Sequence, residues 1–321
     1  MIEKTNYEAP TLDDLMMEVL KPLLEDRDFV TATRSSDLGN FTEILGASLV
    51  LSNPRARLSR SESKGKVFSA LGEFLWYMSG TNTLSFIDYY IPGVYSKESE
   101  DGVTVNSGYG DRLFKRFGVD QIVGVINKLK TRPTSRQAVI QIFSASDLQQ
   151  KFVPCTCTLQ FILRDERLNL LVNMRSNDAF LGLPHDVFAF TMIQELAARS
   201  LNVEIGIYKH FVGSLHLYQK HHDKAKAYLC EGWQNEIAMD PMPIGDQWPA
   251  LKVVQDVERQ IREDGTINFV GADIHDYWHD VCVMLAIWKR IKEHNFGECE
   301  KLKGDLKNAF YNVFVDGKMP Y

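Results

Sequence analysis

The chain has 321 residues, 45% of them hydrophobic and 24% charged, enough for one large core or two average ones. Its net charge of −6 argues against a nucleic-acid scaffold, and no apolar run approaches the ~20 residues that span a bilayer. The acidic, polar start MIEKTNYEAPTLDD is unlike a signal or transit peptide, so a cytoplasmic location is expected.

Residues 12–26 (LDDLMMEVLKPLLED) read as an amphipathic helix interrupted by Pro22. Phe41 to Leu51 is rich in β-branched and apolar residues and predicts a strand, and Lys66 to Met78 predicts a buried helix. Asp88 to Gly110 is turn-rich, the type of segment that often carries function. Val119 to Leu129 predicts a helix that the Thr131-Arg132-Pro133 breaker ends. Residues 138–144, 158–164 and 168–174 read as strands, the last two forming a hairpin over Asp165-Glu166-Arg167. VFAFTMIQELAARSL predicts a helix, with Pro184 as breaker and Asp186 as a cap-like residue before it. Ile205 to Tyr218 returns to strand, and Asp276 to Phe314 is mostly helical. No repeat, low-complexity stretch or linker interrupts the chain, so residues 1–321 are expected to form a single α+β domain with a helical C-terminal part.

Five cysteines, an odd number, fit reduced thiols better than a disulfide framework. Cys155 and Cys157 have no second pair to complete a zinc site, and His221-His222-Asp223 is no better, because adjacent helical histidines point apart. No metal is expected. Three local features carry chemistry: Pro154-Cys155-Thr156-Cys157 at the mouth of a strand, Arg175-Ser176-Asn177-Asp178 after the hairpin, and Phe180-Leu181-Gly182-Leu183-Pro184-His185-Asp186 leading into a helix. Each alone has a bland reading: a packed cysteine, a solvated arginine, a turn.

Together, in this order, they resemble the thymidylate synthase family, whose nucleophile loop reads Pro-Cys and whose later segments read Arg-Ser-x-Asp and Phe-Leu-Gly-Leu-Pro-Phe-Asn. Gly72-Glu73-Phe74-Leu75-Trp76, Ser107-Gly108-Tyr109-Gly110, Ser135-Arg136 and His216-Leu217-Tyr218 extend the likeness over about residues 30–225, leaving 226–321 divergent. The resemblance implies a thymidylate-synthase-like mixed β-sheet flanked by helices. It also implies a pyrimidine nucleoside monophosphate as substrate, 5,10-methylenetetrahydrofolate as cofactor, and a homodimer.

Pyrimidine C5 is a poor nucleophile until something adds at C6, and a thiolate is suited both to add and to leave. The resemblance gives that role to Cys155 and leaves Cys157 to packing. It gives the phosphate to Arg175 and Ser176, with Arg175 also lowering the pKa of the thiol, and makes Arg136 the arginine that crosses to the partner's phosphate. Gln137 replaces the arginine that normally follows, and Arg34 in RSSDLGN is a further candidate for phosphate. His216 and Tyr218 would hold the sugar hydroxyl. Glu73, costly to bury without a role, matches the general acid/base, Tyr109 lies in the nucleophile pocket, and Asp178 would meet the pterin. Trp76 and Tyr95 fall on the folate side, Tyr95 where synthases carry tryptophan.

The departures bear on the reaction. Asp186 stands where synthases have the asparagine that reads uracil, and cytidylate hydroxymethylases of this family carry aspartate there. A carboxyl accepts from the cytosine amine and, when protonated, donates to N3; ionised, it would set lone pair against lone pair at uracil O4. Tyr95 for tryptophan and Thr156 for histidine are expected to make the folate side looser and wetter, favouring water over hydride. The expected reaction is 5-hydroxymethylation of CMP or dCMP. The alternatives are a reductive thymidylate synthase acting on dUMP, a nucleotide-binding member without turnover, and a cysteine hydrolase, for which no histidine context is visible.

Overall fold

The computed structural model describes residues 4–25, 29–30, 39–265 and 274–320. In chain order the elements are β1 (Asn6–Ala9), α1 (Leu12–Leu24), β2 (Phe41–Leu51), α2 (Val67–Met78), α3 (Leu84–Tyr90), a 3-10 turn (Tyr95–Glu98), α4 (Tyr109–Phe114), α5 (Gln121–Thr131) and β3 (Val139–Gln141). There follow β4 (Thr156–Arg164), β5 (Arg167–Asp178), α6 (Gly182–Ser200), β6 (Glu204–Tyr218), α7 (His222–Cys230), α8 (Trp248–Arg259), α9 (Asp276–Lys292), α10 (Phe296–Lys303) and α11 (Asn312–Asp316).

The strands form one mixed six-stranded sheet in the order β1-β2-β6-β5-β4-β3. β5 and β6 run parallel, joined through α6, whereas β2–β6, β4–β5 and β3–β4 are antiparallel. The β4–β5 hairpin closes over two residues, Asp165 and Glu166, both at positive φ (49° and 55°). That is the backbone a two-residue hairpin turn demands, here without glycine. In register, Asp178 at the end of β5 lies opposite His216 of β6. The two strands thus bring the Arg-Ser-Asn-Asp segment beside His216-Leu217-Tyr218.

α6 is buried almost all round because it packs on β5 and β6 with one side and on α2 with the other. A Cβ on Gly72 would sit 2.1 Å from the Tyr90 ring, so only glycine lets α3 lie this close to α2. Tyr90 in turn donates to Glu258 at 3.0 Å, and Phe68 of α2 stacks on Trp288 of α9 at 5.3 Å. The C-terminal helices therefore buttress the helix that carries Glu73, and their apolar residues join the same core as the sheet.

Three expectations are corrected. α1 runs through Pro22 to Leu24, since a proline this near the end removes little of the remaining hydrogen-bond ladder. Asp186 is not a cap: α6 begins four residues earlier, and it is Asp178 Oδ1 that accepts from the backbone N–H groups of Phe180 and Leu181, each at 2.8 Å. The segment from Asp88 to Gly110 is more ordered than its composition suggests, holding the end of α3, the 3-10 turn and the start of α4. Among the described residues no helix is long and apolar enough to cross a membrane.

Candidate active site

Cys155 precedes β4, where the pairing with β5 shifts register between Thr156 and Thr158. Such an irregularity re-aims the side chains beside it. Arg175 of β5 reaches over the loop, donating to the carbonyls of Pro154 (3.0 Å) and Val153 (2.7 Å) and lying 3.7 Å from Cys155 Sγ. Burial pushes the Cys155 thiol up to about 11; Arg175 pulls it down, while Asp186 and Glu98 push it further up. Arg175 lowers the thiol pKa in the direction expected of it, but in the free protein desolvation outweighs that one cation. Cys157 is also raised by burial.

Behind the cysteine, Tyr109 at the start of α4 receives two hydrogen bonds through its phenol oxygen, from Thr156 N (3.2 Å) and Thr156 Oγ1 (2.9 Å). Both donors belong to Thr156, so the phenol hydrogen itself is unspent. Thr156 is wholly buried. It pins the nucleophile loop to Tyr109 and does not front a cofactor.

Glu73 lies on α2, one turn before Tyr77. Tyr77 and Tyr95 both donate to Glu73 Oε1, each at 2.6 Å, which resolves the cost of burying this carboxylate. Tyr95 projects from the 3-10 turn with its ring edge-on to Trp76 at 5.2 Å. Its hydroxyl is held by Glu73 Oε1, and a hydroxyl can both donate and accept where the indole N–H of a tryptophan could only donate. Trp76 is fully buried and has no face left for a cofactor, so its place is beneath Tyr95.

Asp186, in the second turn of α6, is buried and accepts from Asn177 Nδ2 at 2.6 Å through Oδ2. Burial raises its carboxyl well above the ordinary carboxylate range, the charge of Glu73 adds to this, and Asn177 opposes it. The preceding His185 bridges to α2: its Nε2 lies 2.9 Å from Ser69 Oγ and its Nδ1 donates to the Leu181 carbonyl at 3.1 Å.

At the sheet end, Ser176 Oγ lies 3.4 Å from His216 Nδ1, and the rings of His216 and Tyr218 meet edge-on at 4.8 Å. Asp178 spends Oδ1 on the turn before α6, leaving Oδ2 as an acceptor. A carboxylate oxygen left free in this way, and the half-buried Tyr95 ring, are groups of the kind that the N–H groups and ring face of a folate would need. Arg136 is exposed before the edge strand β3, and among the described residues its side chain has no partner in its own chain. Arg34 lies outside the described residues. No group of three His, Cys, Asp or Glu that could hold a metal is found among the described residues; His221 instead stacks on Phe180 at 6.0 Å.

The structure thus gathers Cys155, Glu73, Tyr109, Arg175 and Asp186, with Ser176, Asp178, His216 and Tyr218 along the β5–β6 end, and leaves Arg136 outside. Sequence reasoning passed over Tyr77, Asn177 and Glu98. Tyr77 was legible as the residue one helical turn from Glu73, whereas Glu98 came to the side of Tyr95 only through the 3-10 turn that the structure shows. Asn177, inside a quoted motif, gave no signal until β5 and α6 met. The thymidylate synthase family model matches residues 62–240, more than half of the chain and a span that holds every one of the gathered residues. The chain belongs to the thymidylate synthase family, whose members carry out folate-dependent one-carbon transfer to a pyrimidine nucleotide.

Proposed function

We propose that the protein hydroxymethylates C5 of a cytidine monophosphate nucleotide, CMP or dCMP. The observation that carries this reading is the Asp186 carboxyl, buried, raised well above its ordinary range and held by Asn177. Addition of sulfur at C6 of cytosine moves charge onto N3, and a neutral carboxylic acid can deliver a proton there. Uracil under the same attack moves charge onto O4, for which a neutral amide suffices. The raised acid is thus an investment suited to cytosine.

In this reading Cys155 adds to C6, and Arg175, 3.7 Å from the sulfur, stabilises the developing thiolate. Arg175 and Ser176 bind the phosphate, and His216 with Tyr218 the sugar. Glu73, oriented by Tyr77 and Tyr95, manages protons at the ring. 5,10-Methylenetetrahydrofolate, when bound, supplies the one-carbon unit, with Asp178 and Tyr95 as the residues that would hold it. Arg136, whose side chain has no partner among the described residues, is proposed to serve the phosphate of the second subunit in a homodimer.

The test offers CMP, dCMP, UMP and dUMP with methylenetetrahydrofolate and identifies products by mass. A 5-hydroxymethylcytosine nucleotide with tetrahydrofolate is expected. A methylated product with the absorbance rise of dihydrofolate would show a reductive synthase instead.

A further inference from the structure

We propose that Glu98 is the base that activates the water added in hydroxymethylation, an inference that rests on the hydroxymethylase reading above. The 3-10 turn Tyr95–Glu98 has three residues per turn, so side chains three apart eclipse one another. Tyr95 points inward, with its hydroxyl on Glu73 Oε1 at 2.6 Å. Glu98 therefore projects on the same side, from the wall that also holds Tyr95.

Its surroundings agree. Ser107 Oγ, from the segment leading to Tyr109, donates to Glu98 Oε2 at 2.8 Å and fixes the carboxylate. Oε1 has no hydrogen-bond partner among the described residues. The charges that act on Glu98 come from two other elements, Arg175 on β5 and Glu73 on α2, and its own charge acts in turn on the Cys155 thiol before β4. Burial raises the Glu98 carboxyl, with Glu73 adding, while Ser107 and Arg175 oppose the rise. A carboxylate moved toward the working pH is a better proton acceptor than an ordinary one. Glu73 is the less suited rival, because its Oε1 already carries two phenol hydrogen bonds.

The step balances as follows. The pyrimidine, bonded through C6 to Cys155 sulfur, carries an exocyclic methylene at C5. A water oxygen bonds to that methylene carbon while one water proton passes to the Glu98 carboxylate. The electron pair of the exocyclic double bond moves into the ring, re-forms C5=C6 and expels the Cys155 thiolate. The sum is neutral adduct, water and carboxylate giving hydroxymethyl nucleotide, carboxylic acid and thiolate, with no oxidant or reductant required.

The experiment compares wild type with Glu98→Gln and Glu98→Asp. In single turnover on nucleotide labelled at C5, Glu98→Gln should release the label within about threefold of the wild-type rate, yet form hydroxymethyl product about 100-fold more slowly. The covalent adduct should accumulate on the peptide holding Cys155. An added alkylthiol, a nucleophile that needs no base, should restore turnover as a thioether product, and Glu98→Asp should recover part of the hydroxymethylation. Without folate, Glu98→Gln should speed alkylation of Cys155 at a given pH, since one negative charge near the sulfur is gone. Label release falling together with product, with no thioether formed, would overturn the assignment. So would hydroxymethylation at the wild-type rate. Wild type that makes a methylated product would instead overturn the underlying hydroxymethylase reading, which separates the two failures.

Discussion

Asn177 Nδ2 donates to Asp186 Oδ2 across 2.6 Å, joining the end of β5 to the second turn of α6. The bond commits one carboxyl oxygen and leaves Oδ1 for a ligand. Of the two states of the Asp186 carboxyl, burial and the charge of Glu73 favour the protonated acid over the ionised form that would repel uracil O4, and the Asn177 bond opposes them only in part. Discrimination then rests on which ring atom needs the proton during attack at C6.

Asp186→Asn should therefore move preference from cytidylate toward uridylate. The amide cannot supply an acidic proton to N3, and one such interaction is worth about 1–3 kcal/mol, or roughly tenfold to a hundredfold in relative kcat/KM. Ratios of kcat/KM for the four nucleotides measure it. Wild type that already prefers uridylate would sink the cytosine reading.

Cys155→Ser should bind nucleotide yet lose nearly all turnover, whereas Cys157→Ser should keep most of it, because a hydroxyl is too basic to replace the attacking thiol. The reverse pattern would reassign the nucleophile.

Because burial holds the Cys155 thiol up at about 11, its alkylation in the free protein should quicken as pH rises toward that value. The sign follows from the thiolate being the reactive form and a minority species at neutral pH. Arg175→Gln removes the cation that favours thiolate and should slow alkylation at each pH. Faster alkylation in that variant would show that Arg175 shields the sulfur instead of stabilising it.

Mixing inactive Arg136→Ala chains with inactive Cys155→Ser chains should restore activity. Random pairing makes heterodimers with one site that has both residues intact, provided Arg136 serves the partner's site. No recovery under proven subunit exchange would place Arg136 in its own chain's chemistry or in none.

Tyr77→Phe and Tyr95→Phe each remove one donor to Glu73 Oε1 at 2.6 Å. Each should lower kcat by about tenfold, since a buried hydrogen bond to a charged group contributes about 1.5–3 kcal/mol and the second phenol remains. Unchanged kcat in both would mean that Glu73 needs no orienting partner.

The sequence alone carried the family pattern and most of the sheet, because hydrophobic periodicity and turn residues are local. Phe41 to Leu51 is a strand over those very residues, and the hairpin over Asp165-Glu166 follows from chain adjacency. Through the resemblance it also singled out Cys155, Glu73 and Asp186. What it could not decide is which neighbours surround each group, since those arrive from distant elements. Trp76 reads as a ligand-facing aromatic but is fully buried, and Thr156 is buried against Tyr109. The Cys155 thiol reads as activated by Arg175, yet its burial decides the net direction. Desolvation depends on everything packed around a group, so only the tertiary structure sets the protonation of Cys155 and Asp186, and with it the chemistry each is prepared to do.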